Sequence, residues 1–572
     1  MSDMNSSAKN SMKSSINSDA KSATKVEKLA AEETVPGVSV RGLSVHGPSG
    51  VIVEPLDFDV APGRTLAIIG ESGSGKSMTA RAITGLLPRT TSALGNARID
   101  DLQYDLSMTQ TQQWHQVRGR RAVLLLQDPF TSLSPVIRCG EQIALTIKAR
   151  VQAAGGKALS RNEVKAEVTK RLAEVRLPSE TAKRFPAELS GGMRQRVAIA
   201  AALAAEPRLL IADEPTTALD ASNQGGVLDL LRELQLQHQM SVILISHDLG
   251  VVSGRADDLF VMRKGEVVES GTTEEVLQSP KHPYTRALLE ANPSITDDLQ
   301  ESTPGGKTVL TATKVSKRFG NFQALSDASV SVGKGEIVAI VGESGSGKST
   351  FARCIAGLEQ PETGVVTLHG KELSKGRAGR KPEEMQIVFQ DPYSTLNPSF
   401  TIEQTLAEAL RAAEQSKYGV TELLELVELD PELRTRRPSQ LSGGQRQRVA
   451  IARALAPNPS LLICDESVSA LDVSVQAQIL DLLARLRDEL GLAMLFITHD
   501  LGVVTRIANR ALVLQNGSIV EQGETGAVLR NPQHPYTQMI VQAAEQDSIR
   551  RSDLNRNAAD TSAQLNDKES TT

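Results

Sequence analysis

The sequence predicts an α/β protein built twice. Two tandem copies of one domain are expected, each with a mostly parallel core sheet and a helical insertion. Three observations predict this: long motifs recur in register, short apolar runs lack alternation, and a glycine-rich segment follows one such run in each half.

The recurrence comes first because it decides the architecture. GESGSGKS stands at Gly70–Ser77 and again at Gly342–Ser349. LSGG, one intervening residue and RQRVAIA span Leu189–Ala200 and Leu441–Ala452, and HPYT spans His282–Thr285 and His534–Thr537. The offset is 272 residues between Lys76 and Lys348 and 263 between Gln127 and Gln390. It then holds at 252 for Ser190/Ser442, Asp213/Asp465, His247/His499 and His282/His534. Copy one therefore carries 9 extra residues before Gln127 and 11 more before Ser190, an excess that surface loops tolerate and a core does not.

The domains follow from the same register: residues 36–292 and 308–547, joined by a linker over 293–307 with Pro304-Gly305-Gly306. As a flexible coil such a linker reaches about 20 Å, enough for the copies to pair face to face within one chain. Residues 1–35 and 548–572 are polar and read as disordered arms; the first lacks the apolar stretch of a signal peptide.

The strands are read from unalternated apolar runs: Thr65–Ile69, Leu209–Ala212 and Val242–Ile245, matched by Ile337–Val341, Leu461–Cys464 and Met494–Ile497. Runs of this length between helical segments are parallel strands buried on both faces. Between Gln127 and Ser190 a helical insertion is expected. Ser160 and Glu163 have capping-box spacing, and Val164, Val168, Leu172 and Val175 follow at helical spacing.

Composition limits the function classes. The 572 residues are too many for one core, and a net charge of −5 lacks the basic excess of a nucleic-acid binder. Three distant cysteines, Cys139, Cys354 and Cys464, form no disulfide framework and suit a reducing compartment. No apolar run reaches the ~18 residues of a membrane span.

The chemistry begins at the glycine-rich loops. Gly70-Glu71-Ser72-Gly73-Ser74-Gly75-Lys76-Ser77 and Gly342-Glu343-Ser344-Gly345-Ser346-Gly347-Lys348-Ser349, with Thr350 after it, each follow a predicted strand and open a predicted helix. That is the context of a P-loop. Glycines let the backbone curl so that N–H groups face phosphate oxygens, and the helix N-terminus adds a positive dipole end. Lys76 and Lys348 are expected to reach the β- and γ-phosphates of ATP, and Ser77 and Ser349 to offer a hydroxyl to Mg²⁺.

Each copy also has an apolar strand ending in two carboxylates, Asp213-Glu214 and Asp465-Glu466. Alone, such a pair is often a solvated strand end; below a P-loop, the first is expected to hold Mg²⁺ and the second to polarise the attacking water.

With Leu189-Ser190-Gly191-Gly192-Met193 and Leu441-Ser442-Gly443-Gly444-Gln445 ahead of these carboxylates, the chain resembles the ATP-binding cassette ATPases over nearly all of both copies. A Ser-Gly-Gly turn opening an apolar helix is itself an anion site. The resemblance implies two composite ATP sites, Lys76 with Ser442 and Lys348 with Ser190. It further implies that Gln127 and Gln390 touch Mg²⁺ and sense a permease. His247 and His499 are implied beside the γ-phosphate, and Asp220 and Asp472 at the interface between copies. Because Glu214 and Glu466 are both present, two hydrolytic sites are expected. Many relatives stack an aromatic residue on adenine; copy two offers Phe319, whereas copy one places His46 there.

Two further segments resemble the dipeptide, oligopeptide and nickel importers. Gln127-Asp128-Pro129-Phe130-Thr131-Ser132-Leu133-Ser134-Pro135 is a near copy of Gln390-Asp391-Pro392-Tyr393-Ser394-Thr395-Leu396-Asn397-Pro398. His-Pro-Tyr-Thr before an apolar helix is by itself a helix start, but its doubling in register points to the same subfamily. That resemblance implies an ATPase that energises a binding-protein-dependent importer of peptides. Two permease subunits would be its partners, an extracytoplasmic solute-binding protein an indirect one, and the inner face of the cell membrane its place. No iron–sulfur cluster is expected, since 292–308 has no cysteine. A fused sugar-importer ATPase and a soluble ATPase acting on ribosomes are the alternatives; the first usually has a divergent second copy and the second a long charged linker.

Overall fold

The computed structural model of the protein describes residues 37–108, 111–127, 132–216, 221–247, 249–292, 295, 306–374, 376, 380–391, 395–413, 416–469 and 471–545. The two terminal arms, most of the linker, Asp220 and residues 128–131 and 392–394 of the glutamine segments lie outside the described residues.

Each copy contains two sheets. In copy one the core sheet has the order β10-β9-β3-β8-β7-β6. Its strands are β3 (Thr65–Ile69), β6 (Ala122–Leu125), β7 (Leu209–Asp213), β8 (Ser241–Ser246), β9 (Asp258–Arg263) and β10 (Glu266–Thr272). All neighbours run parallel except β10, which turns back against β9. Every residue of β3, β7 and β8 is buried. That is why these strands read as continuous apolar runs rather than alternating ones.

The second sheet is antiparallel, in the order β2-β1-β4-β5: β1 (Val38–Gly47), β2 (Gly50–Val60), β4 (Ser92–Ile99) and β5 (Leu102–Asp105). The apolar runs did not forecast it. Its register shifts between Val40 and Leu43 and again around Val45, and these bulges break the period-2 signal.

Copy two repeats the plan in mirror order of numbering, β16-β17-β18-β13-β19-β20 and β12-β11-β14-β15, where β14 is Thr363–Leu368, β15 Lys371–Glu372 and β16 Met385–Val388. The strands that matter below are β11 (Thr308–Phe319), β12 (Phe322–Gly333), β13 (Ile337–Val341), β17 (Leu461–Asp465), β18 (Ala493–Ile497), β19 (Arg510–Gln515) and β20 (Ser518–Glu524).

The predicted insertion is helical, and Ser160 and Glu163 close the expected capping box on the helix Arg161–Glu174. Val164, Val168 and Leu172 enter the core with Ile143 and Ile147 from the helix Cys139–Ala153. Contrary to the expectation from sequence, the 11 extra residues of copy one do not sit in loops. The Cys139–Ala153 helix has 15 residues against 11 in its counterpart Ile402–Ala412. Arg161–Glu174 has 14 against 7 in Val420–Leu426. The helices are longer by four and by seven residues, about one turn and two turns, so the buried face keeps its phase.

The copies touch. Val473, at the start of the helix Val473–Leu490 in copy two, is 5% exposed and belongs to a cluster otherwise drawn from copy one, with Ile69, Leu249, Tyr284 and Leu288. Ile295, from the linker, packs into the core of copy two.

Phe351 follows the second glycine-rich loop, is fully buried, and anchors the helix Lys348–Ile355 against both sheets of copy two. Phe351→Ala is expected to cost about 3–5 kcal/mol of stability, read from the shift of the urea unfolding midpoint; a shift worth under about 1 kcal/mol would contradict this packing.

Candidate functional site

The site lies where β3, β7 and β8 end side by side at their carboxyl ends, the usual ligand position in such a sheet. β3 delivers Gly70–Ser77, β7 delivers Asp213 and Glu214, and β8 delivers His247. In copy two β13, β17 and β18 deliver Gly342–Ser349, Asp465 with Glu466, and His499 in the same way.

Both loops are curled as the glycines require. Gly70, Gly73 and Gly75 have φ of 146°, 80° and 103°, and Gly342, Gly345 and Gly347 have 149°, 81° and 106°. Lys76 and Lys348 are 5% and 4% exposed. Lys76 Nζ donates to the carbonyls of Gly70 at 2.6 Å and Glu71 at 2.9 Å; Lys348 Nζ donates to those of Gly342 at 2.7 Å and Glu343 at 2.9 Å. Burial pushes the Lys76 ammonium below its ordinary value, against the pull of Asp472, Glu214, Asp213 and Glu71. Thr350 follows Ser349 in the helix and is half-buried.

In each copy two of the three expected metal ligands meet, the serine and the aspartate. Ser77 Oγ donates to Asp213 Oδ1 at 3.0 Å, and Ser349 Oγ to Asp465 Oδ1 at 2.8 Å. Burial raises both aspartates above the usual carboxylate range, although the serine hydroxyls oppose it. A hydroxyl facing a carboxylate is an oxygen donor set that suits a hard cation such as Mg²⁺.

Glu214 and Glu466 hold positive φ, both 49°, at the strand ends, and their backbone N–H groups donate to Ile245 O at 2.9 Å and Ile497 O at 3.0 Å. Around the side chains the copies differ. Gln127 Nε2 donates to Glu214 Oε2 at 2.6 Å, and His247 Nδ1 lies 3.2 Å from Glu214 Oε1. Gln390 Nε2 instead reaches Ser469 Oγ at 3.4 Å, and His499 Nδ1 is 3.8 Å from Glu466 Oε1. His499 lowers Glu466 below the carboxylate range. Burial opposes charge on His499, but Glu466 and Asp500 outweigh it and raise the imidazole.

A cavity of about 320 Å³ opens beside the first loop. It is lined by Ser72, Gly73, Lys76, Gln127, Glu214 and His247 from copy one and by Leu471 and Asp472 from copy two. Asp472 Oδ1 accepts the backbone N–H of Ser72 at 2.8 Å, and Ser474 Oγ donates to Glu71 Oε1 at 2.8 Å. Burial raises Asp472 as well.

Ser442, Gly443 and Gly444 do not line this cavity. Ser442 and Ser190 each cap their own helix, accepting from Gln445 N at 3.2 Å and Met193 N at 3.4 Å, with Gly443–Gly444 and Gly191–Gly192 in the first turns. Phe319 is 45% exposed beneath Lys317 Nζ, 4.9 Å from the ring centre, and His46 lies 3.1 Å from Ser44 Oγ, outside the cavity.

Sequence reasoning missed two features. Ile52 from β2 and Met78 give the cavity an apolar side, which required the second sheet to be known. Tyr284 and Tyr536 accept the backbone N–H of Glu71 at 3.1 Å and of Glu343 at 2.9 Å; the doubled His-Pro-Tyr-Thr was the available signal.

A Cβ at Gly70 would lie 2.1 Å from Met262 O. Gly70→Ala is therefore expected to leave one nucleotide bound per chain where the native chain binds two, read by equilibrium titration with a fluorescent ATP analogue; two bound nucleotides would contradict it.

Comparison with known proteins gives the same reading. The ABC transporter family model matches residues 53–217 and 325–469, once in each copy. The model of the oligopeptide/dipeptide transporter C-terminal region matches 268–322 and 520–566, spans that contain the two His-Pro-Tyr-Thr segments. The chain is 41% identical over 544 residues to the glutathione import ATP-binding protein of Escherichia coli, covering 86% of each. It is 40% identical over 563 residues to that of Salmonella choleraesuis, covering 88% of this chain and 89% of the relative. Two matched copies, two glycine-rich loops at the ends of parallel strands and relatives aligned along most of their length place this chain in the ABC transporter family.

Proposed function

We propose that the chain is the ATP-hydrolysing subunit of a binding-protein-dependent importer, with a peptide of glutathione-like size as cargo. The observation that carries this reading is the cavity at the first P-loop, which both copies line. The names of the relatives and the doubled match to the oligopeptide/dipeptide transporter region support the choice of cargo.

The residues present can do the following. Lys76 and Lys348 leave their carbonyl partners for the β- and γ-phosphates of ATP. Ser77, Asp213 and Gln127, and in copy two Ser349, Asp465 and Gln390, would hold Mg²⁺. When bound, Mg²⁺ neutralises charge on those phosphates. Glu214 and Glu466 orient and polarise the attacking water, with His247 and His499 within reach of each carboxylate. The turns Ser190-Gly191-Gly192 and Ser442-Gly443-Gly444 move onto the opposite nucleotide as the copies close. Closure is relayed through the Gln127 and Gln390 segments to two permease subunits at the inner face of the membrane, while a solute-binding protein outside delivers the cargo. Among the described residues no helix is long and apolar enough to cross a membrane, so the spans belong to the partners in this reading.

The double variant Glu214→Gln with Glu466→Gln is expected to bind ATP as the native chain does and to lose steady-state turnover by about 10²-fold or more. Undiminished ATPase activity would remove these residues from the reaction. Tagged purification from membranes should bring down two multi-span proteins, identified by mass spectrometry. Ribosomal proteins in their place would overturn the transport reading and leave the ATPase chemistry standing.

A further inference from the structure

We propose that the hydroxyls of Tyr284 and Tyr536 are positioning groups of the two P-loops. Each holds the peptide after the first glycine in one orientation, the one whose carbonyl holds the P-loop lysine until a phosphate takes its place. The inference rests on the ATPase reading above.

The geometry is the same in both copies. In the first, the peptide linking Gly70 to Glu71 is gripped from both ends. Its carbonyl accepts Lys76 Nζ at 2.6 Å, and its N–H donates to Tyr284 Oη at 3.1 Å. In the second, Gly342 O accepts Lys348 Nζ at 2.7 Å and Glu343 N donates to Tyr536 Oη at 2.9 Å. A peptide beside a glycine at φ near 150° turns readily, because no Cβ restrains it. The phenol supplies the restraint that the glycine lacks.

The tyrosines are themselves fixed. They are 7% and 6% exposed. Each stands two residues after a histidine whose Nδ1 accepts the tyrosine N–H, at 3.1 Å for His282 and 3.2 Å for His534. Glu269 of β10 accepts the N–H groups of Lys281 and His282, and Glu521 of β20 those of Gln533 and His534. The Arg263 guanidinium lies 4.8 Å from the centre of the Tyr284 ring. Burial pushes the Tyr284 hydroxyl up to about 12, and its oxygen accepts the Glu71 amide. His-Pro-Tyr-Thr is thus a clip between the edge of the core sheet and the back of the P-loop.

At the first loop the clip also meets the other copy. Tyr284 and Leu288 share a buried cluster with Val473, the neighbour of Asp472, which takes the next N–H of the loop, that of Ser72. Two successive amides of the P-loop are therefore held, one from within the copy and one from across the interface.

Loss of the hydroxyl leaves the peptide free to turn, and only the fraction in the native orientation binds nucleotide, so apparent affinity falls by that fraction. The test uses the full chain carrying Glu214→Gln and Glu466→Gln as parent, with MgATP titrated by calorimetry. Tyr284→Phe with Tyr536→Phe is expected to weaken ATP binding about five- to tenfold. In the hydrolytic chain the same pair should raise KM by a similar factor and leave kcat within about twofold. Leu172→Ala, a packing change in the core of the helical insertion, should lower the melting temperature and leave affinity in place.

Unchanged affinity and KM in the tyrosine pair would overturn the inference, as would an affinity loss matched by Leu172→Ala. A parent that binds no ATP would instead overturn the ATPase reading. Should the phenylalanine chain fail to fold, hydrogen exchange of the native chain without nucleotide decides. Slow exchange at the Glu71 and Glu343 amides is expected; fast exchange there overturns the proposal.

Discussion

Both sites depend on a close approach of three backbone segments. The P-loop is squeezed between the turn that follows β9 and the strand β2 of the antiparallel sheet. A Cβ on Gly70 would strike Met262 O at 2.1 Å, one on Gly75 would strike Val53 at 2.8 Å, and one on Gly265 would strike Ile52 O at 2.4 Å. Backbone hydrogen bonds run the same way, from Gly265 N to Ser74 O at 3.0 Å and from Glu54 N to Gly265 O at 2.9 Å. In copy two Gly342, Gly347 and Gly517 meet Leu514 O and Ala324 O with the same tightness. Glycine is required because no side chain fits; neighbouring backbone confines the loop, and the tyrosine hydroxyls fix its first peptide, so together they make it rigid.

That rigidity sets the electrostatics. A buried lysine in each loop stands near the buried aspartate that ends the next strand but one, and burial penalises each charge taken alone. Carbonyls hold Lys76 and Lys348, and serine hydroxyls hold Asp213 and Asp465. Both sets of partners are oxygens that a phosphate or a hard cation can replace. The sites are thus balanced arrangements in which each charged group already has a partner it can exchange. The clip tyrosines and Asp472 take N–H groups of the same loop, so the charged groups sit on a backbone held in place.

Much of the core was legible because it obeys short-range rules. Thr65–Ile69 and its partners read as strands since both of their faces are buried. Ser160 and Glu163 announced a helix start through four adjacent residues. The antiparallel sheet was not legible, because bulges at Val40–Leu43 and around Val45 scramble the alternation that would mark it. The placement of the extra residues of copy one was misjudged for a related reason. Additions close to whole helical turns keep the hydrophobic phase, so they leave no break in the pattern and look like loop insertions from the offset alone.

The sequence by itself determined the duplication, the two P-loops, the carboxylate pairs and the capping turns, since each is a run of adjacent residues whose backbone chemistry is local. Tertiary structure decided which distant groups share a site. Asp472 lies 400 residues along the chain from Ser72, with which it bonds, and Tyr284 lies 213 from the Glu71 amide. Neither pairing is written in any local pattern. Both arise from a sheet that brings distant strand ends together and from an interface that buries Val473 in the other copy; closing loops of this length costs chain entropy that the packing of whole cores offsets.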